Sequence, residues 1–339
     1  MVAVYHLHVV GFITELNFVR NSYLFVEFFF VLSGFVIGYS YIGRLNNISD
    51  LKSFMKKRFA RLWPLHMFVT ILFVPVALGN VFLNIDLGDR FSFFAFVSNT
   101  FLIQALNVNA GLTWNVPSWS ISVEFYTYFI FGIFFMFPYL KNALLMPILI
   151  SLLSFCILFF NSSMSDATNY AIFRCTYSFF LGAIAFKIHD SINVKPWMEV
   201  AIIGVVALLL SQLKIESDSV LAFSMPLFFF LIIIIFSQQQ GIVSRLLTNK
   251  HLKTLGVLSF SIYLTHDWFV VSIKALSKIT EKVFDYKFMY LVDGRRIIDF
   301  GFGYFNDFIF IPYLILVVVF SFWTYKYIEK PFQEKINNM

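Results

Sequence analysis

Long apolar runs separated by short polar connections recur from one end of the chain to the other. Several approach the roughly 20 residues that a helix needs to cross a bilayer. They predict ten membrane helices: Met1 to Ile13, Leu24 to Ile42, Leu62 to Leu83, Ser118 to Phe137, Ala143 to Phe160, Tyr170 to Phe186, Trp197 to Leu213, Val220 to Phe236, Leu255 to Leu276 and Phe308 to Tyr325. The first is short, since 13 residues of helix rise only about 20 Å against a hydrocarbon core of about 30 Å. Either this helix continues through Thr14 and Glu15, or the chain starts inside its first span. The run Phe91 to Ala105 is apolar but short and carries Ser98, Asn99, Thr100 and Gln104. It reads as an interfacial or re-entrant segment.

Charge orients the bundle. Arg44, Lys52, Lys56, Lys57, Arg58 and Arg61 put six positive charges in the connection between the second and third spans. Such clusters mark cytoplasmic loops. Ten spans then leave both termini in the cytoplasm. Counting Phe91 to Ala105 as a span would move Lys141, Lys187, Lys195, Arg245 and Lys250 outside, against the same rule. One connection disobeys it: the stretch Lys278 to Asn306 would be external yet holds Lys278, Lys282, Lys287, Arg295 and Arg296. That stretch reads as a solvated charged loop or as a small element facing an acceptor or anionic lipid.

Composition sharpens the class. The 339 residues are 59% hydrophobic and only 13% charged, with mean hydropathy +0.79, which leaves no polar exterior for a water-soluble fold of this length. The expected fold is therefore all-α, a single polytopic membrane bundle over residues 1–339. The net charge of +6 resides in short loops and is no nucleic-acid signature. Cys156 and Cys175 both lie in apolar runs and give neither a disulfide framework nor a metal-ligand spacing.

Against this background, ionisable groups at membrane depth are costly and mark function. Trp114 to Phe131 opens with a turn signal at Asn115-Val116-Pro117 and then encloses one carboxylate, Glu124. Ser120, Glu124 and Tyr128 recur every four residues and share a helical face. Ser259, Tyr263 and His266 form a second stripe at i, i+4 and i+7. His6, Glu27 and Arg174 are further polar groups inside apolar runs. His6 and His8 are two apart, on nearly opposite faces, so at most one faces the bundle interior. Glu27 and Arg174 are either chemical or partners of each other. A histidine with carboxylates suits proton transfer. A basic cluster at the cytoplasmic mouth suits a phosphorylated, diffusible donor. Together these groups favour an intramembrane transferase. The competing classes are a polytopic transporter or flippase, whose usual internal repeat is absent here, and a scaffold subunit, which leaves the buried charges unexplained.

Seven ordered motifs add a family resemblance over nearly the whole chain: VAVYHLH around His6, VEFFFVLSGF (26–35), KKRFARLWPLH (56–66), WSISVEFY (119–126), RCTYSFFLG (174–182), GVLSFSIYLTH (256–266) and YIEKPF (327–332). The chain resembles the acyltransferase-3 family of integral-membrane acyltransferases, in its stand-alone form. The resemblance implies a ten-helix bundle in the bacterial cytoplasmic (inner) membrane. It also implies transfer of an acyl group, often acetyl, from cytoplasmic acyl-CoA to a hydroxyl of a cell-envelope saccharide. Acceptors in such a family include lipopolysaccharide O-antigen and exopolysaccharide, here expected to be lipid-linked. On this reading Arg58, Arg61 and Lys57 hold the phosphates of acyl-CoA. His6 is the general base, with a transient acyl-histidine as a variant, and Glu124 orients the acceptor or His6. Ser120 and Tyr263 donate to the developing oxyanion, while His266, Glu27 and Trp119 line the acceptor site. No metal is required. The family's arginine eleven positions before the first-helix histidine would fall upstream of Met1, which points to a first helix cut short at its N-terminus.

Overall fold

A computed structural model describes residues 1–82, 88–137, 144–292 and 295–337. It is a helical bundle. Its principal elements are α1 (Val2–His6), α2 (Phe25–Tyr41), α3 (Ile48–Leu72), α4 (Phe93–Thr100), α5 (Trp119–Met136), α6 (Leu145–Asn161), α7 (Ala171–Ile188), α8 (Trp197–Gln212), α9 (Val220–Ser237) and α10 (Lys250–Phe284). A hairpin of β1 (Met289–Val292) and β2 (Arg295–Ile298) follows, then α11 (Phe310–Thr324) and α12 (Lys330–Asn337). Among the described residues, seven helical segments are long and apolar enough to cross a membrane, and α6 and α8 are shorter apolar helices. The chain is thus an all-α, multi-pass membrane protein. Leu83, Lys141 and Ala143, used above to bound spans and count charges, lie outside the described residues.

Two expectations about elements have different outcomes. The segment Phe91 to Ala105 does not span: α4 has eight residues, about 12 Å of helix, and irregular chain follows it. The first apolar stretch is not a membrane helix either. α1 ends at His6, and Leu7 is extended. Val9 then forms a parallel bridge with Ile298 of β2, and Val10 N–H donates to the Ile298 carbonyl at 2.9 Å. A 13-residue helix could not reach across the core, and β2 supplies the backbone partners that the stretch would otherwise lack in lipid. The backbone N–H groups of Phe12 and Ile13 then donate to Asp307 Oδ2, at 2.8 and 3.2 Å, which caps the short turn Phe12–Glu15. The charged stretch after α10 is built rather than loose. Lys278 and Lys282 ride on the last turns of that 35-residue helix, and β1 pairs antiparallel with β2.

The most extensive helix contact joins α2 and α7. Small residues allow it. A Cβ on Gly34 would run into the Phe179 carbonyl oxygen, and one on Gly182 into the Val31 carbonyl oxygen. Such backbone-to-backbone approach is how helices associate where lipid removes the hydrophobic drive. α7 also packs on α6, α5 and α9, so it forms the centre of the bundle. Glu27 of α2 and Arg174 of α7 lie at this seam.

Candidate functional site

The site is built where α5 begins. Trp114 takes a left-handed φ of 41°, and its carbonyl accepts from Arg90 Nε and Nη2 at 3.2 and 2.7 Å. Asn115 Nδ2 donates to the Leu264 carbonyl at 2.9 Å, and Val116 N–H donates to Asp267 Oδ2 at 3.3 Å. Arg90 also pairs with Asp267 at 3.2 Å. These contacts clamp the start of α5 to the middle of α10. The turn Val116–Ser118, with Pro117 as its second residue, then launches the helix.

The clamp brings the two polar stripes together. Ser120 Oγ lies 2.9 Å from Tyr263 Oη, and each hydroxyl lies 3.1 Å from the Pro117 carbonyl. One turn further along α5, Tyr128 Oη donates to Glu124 Oε1 at 2.6 Å and stands 2.8 Å from Ser33 Oγ. With its own proton committed to the carboxylate, Tyr128 accepts from Ser33. Ser120, Glu124 and Tyr128 form one wall of a cavity of about 240 Å³, whose other walls include Ser33, Arg58, Arg61, Ser259, Phe260 and Tyr263. Arg58 lies against aromatic faces, 5.5 Å from the Tyr41 centroid and 6.0 Å from those of Phe54 and Tyr128. Aromatic packing of this kind holds a guanidinium in a partly desolvated position.

A second cavity, about 260 Å³, adjoins the first, and the two share Phe29, Ser259 and Tyr263 as lining. His266 lines it. That residue is fully buried, and its Nδ1 lies 3.3 Å from the Ile262 carbonyl. A carbonyl only accepts, so this contact puts the proton on Nδ1 and leaves Nε2 as the lone-pair nitrogen. Among the described residues Nε2 has no hydrogen-bond partner. The His6 ring sits 5.1 Å from the His266 ring. Of the two N-terminal histidines it is therefore His6 that meets α10, while the His8 carbonyl accepts from Ile298 N–H of the hairpin.

Four of the expected site residues line neither cavity: His6, which packs against His266, and Glu27, Trp119 and Lys57, which stand elsewhere. Glu27 is not a cavity residue. Its carboxylate accepts from Arg174 Nη2 at 2.6 Å, Arg174 Nε at 3.0 Å and Ser178 Oγ at 2.5 Å, all fully buried. Of the two readings open to this pair, the partnered one holds, because the two charges neutralise each other inside the α2–α7 seam. Trp119 is also drawn into the seam, with its ring 4.7 Å from Arg174 Cζ. Lys57 is exposed and lines neither cavity, because it lies one residue round the helix from Arg58. Ser33 and Glu329 were missed. Ser33 is the outer member of the Glu124–Tyr128 chain. The Glu329 carboxylate pairs with Arg61 Nη1 and accepts from Ser261 Oγ at 2.8 Å. A carboxylate at the very end of an apolar run, in YIEKPF, was the available signal.

Comparison with known proteins decides the family. A family model described as an acyltransferase domain matches residues 1–326. The chain belongs to the acyltransferase-3 family. Among curated relatives, "Protein 2 in picA locus" of Rhizobium radiobacter is 32% identical over 119 residues, which is 31% of this chain and 61% of the relative. "Acyltransferase MdmB" of Streptomyces mycarofaciens is 32% identical over 114 residues, covering 32% of this chain and 27% of the relative. The match thus spans less than two thirds of either relative. No solved structure matches the chain.

Proposed function

We propose that the protein is an acyltransferase that moves an acyl group, acetyl in the simplest case, from cytoplasmic acyl-CoA to a hydroxyl of a lipid-linked cell-envelope saccharide in a bacterial inner membrane. One observation carries this reading. The cavity that holds Arg58 and Arg61 also holds Glu124, and it shares a wall with the cavity of His266, beside which His6 lies. The two guanidinium groups suit the phosphates of the donor. The thioester then extends toward Tyr263 and the histidine pair. His6 takes the proton of the acceptor hydroxyl as its oxygen attacks the thioester carbonyl. When the carbon–sulfur bond breaks, the imidazolium returns that proton to the thiolate, giving the ester and free CoA. Glu124, held by Tyr128, orients the acceptor. Ser120 and Tyr263 now share the Pro117 carbonyl. Turning either hydroxyl from that carbonyl to the substrate supplies an oxyanion donor.

The test uses the protein in lipid with radiolabelled acetyl-CoA and an envelope-glycan extract. Label is expected to enter glycan with the wild type, and at least about 100-fold more slowly with His6→Ala, the scale of a lost general base. Equal rates with His6→Ala would remove His6 from the chemistry. No transfer from acetyl-CoA or longer acyl-CoAs would overturn the donor assignment.

A further inference from the structure

The described helix from Phe310 to Asn337 is not α-helical throughout. Residues Tyr325–Glu329 form a π-helical turn between α11 and α12. Such turns hold one residue too many for an α-helix and are concentrated at functional sites. Here the effect is visible in the burial pattern. The inward face of α11 steps through Tyr313, Val317, Ser321 and Thr324, at intervals of four, four and three. The next buried residue is Glu329, five further on. Without the π turn, Ile328 would occupy that inward position and the carboxylate would turn out of the bundle.

The turned-in carboxylate is almost wholly enclosed: Glu329 is 1% exposed. Its Oε1 accepts from Arg61 Nη1 and from Gln333 Nε2, the latter at 3.2 Å, and its Oε2 accepts from Ser261 Oγ at 2.8 Å. The Arg61 side chain remains 37% exposed, lies 5.2 Å over the Phe260 ring and lines the cavity. A guanidinium has five N–H donors in a rigid fork. Holding one nitrogen from behind and one face on an aromatic ring leaves few orientations for the rest.

We propose that Glu329 is the positioning residue for Arg61: it fixes the guanidinium at the cavity wall so that its remaining N–H groups meet the phosphates of the incoming donor. The inference rests on the donor reading above and adds to it the reason for the π turn. Glu329 acts through Arg61 and touches neither substrate.

The experiment measures equilibrium binding of coenzyme A alone to the full chain in lipid nanodiscs, for wild type, Arg61→Ala, Glu329→Gln and the double variant. Arg61→Ala is expected to weaken binding about tenfold or more, the scale of a lost charge-assisted hydrogen bond. Glu329→Gln is expected to weaken it about three- to tenfold. The double variant should be no weaker than Arg61→Ala, since a residue that works only through Arg61 has nothing to add once it is gone. In turnover, Glu329→Gln should raise KM for acyl-CoA and leave kcat within about twofold, a split that general unfolding would not give. Ser261→Ala keeps both charges and loosens only the carboxylate. It should weaken binding about twofold, and it carries the test if Glu329→Gln does not fold. Affinity unchanged or raised in Glu329→Gln, or unchanged in Ser261→Ala, while Arg61→Ala is weakened, overturns the positioning role and leaves the donor reading standing. Coenzyme A that fails to bind the wild type overturns both.

Discussion

At the scale of single residues, the site rests on one carboxylate with a committed neighbour. Tyr128 donates to Glu124 and accepts from Ser33, so the three groups form an ordered chain along the cavity wall. Glu124→Gln keeps the shape but loses the charge and exposes Tyr128 to an amide that can also donate. If Glu124 orients the acceptor, this variant should lower kcat by about 100-fold or more and leave coenzyme A affinity near the wild-type value. Equal losses in donor affinity and kcat would instead place Glu124 with the arginines. Glu124 was legible in the sequence because a lone carboxylate inside an apolar run is costly and has to be used. The Glu27–Arg174 pair was legible only as two candidates. Its members are separated by 147 residues, and nothing in either local pattern states that they meet.

Among the elements, the α2–α7 seam carries both the closest backbone approach and the buried ion pair. These make distinct predictions. Glu27→Gln strips Arg174 of its counter-charge in a buried site and should cost about 3–5 kcal/mol. It should appear as a lowered melting temperature in detergent, with KM for acyl-CoA unchanged, because Glu27 lines neither cavity. The double replacement Glu27→Met with Arg174→Met should recover much of that loss, since removing both charges leaves neither unpaired. A shifted KM at normal stability would return Glu27 to the substrate site. Gly182→Ala tests the seam sterically. The added methyl meets the Val31 carbonyl, so the helices have to part, at about 1–3 kcal/mol for an overpacked core. The sequence showed that Ser33-Gly34 permits close packing. It could not show the π turn at Tyr325–Glu329, because helical periodicity read from sequence assumes a constant step. A constant step would turn Glu329 outward and hide its link to Arg61.

The whole molecule has a polar axis set by charge. The connection after α2 with the first turns of α3, the connection between α7 and α8, the one between α9 and α10 and the segment after α11 all carry Lys or Arg, among them Arg44, Lys52, Lys195, Arg245 and Lys335. If each membrane helix runs opposite to the one before it, these connections fall at one end of the bundle. The hairpin and the connection between α6 and α7 fall at the other. The first stretch does not disturb this order, because it folds back onto β2 instead of crossing. Its apolarity made it read as a span. What decided otherwise was a strand edge almost 300 residues away, which no local pattern contains. The arrangement predicts one pattern of labelling by a membrane-impermeant thiol reagent in a Cys156→Ser background, with the buried Cys175 left in place. Cysteines at the exposed positions Lys52, Lys195 and Lys335 should react from one side of sealed vesicles, and those at Ser165 and Lys287 only from the other. The first side should be the cytoplasmic one, since basic loops are retained there. Labelling of Lys287→Cys from the same side as Lys52→Cys would mean that α10 does not cross. It would also separate the histidine pair from an acceptor arriving at the face opposite the donor.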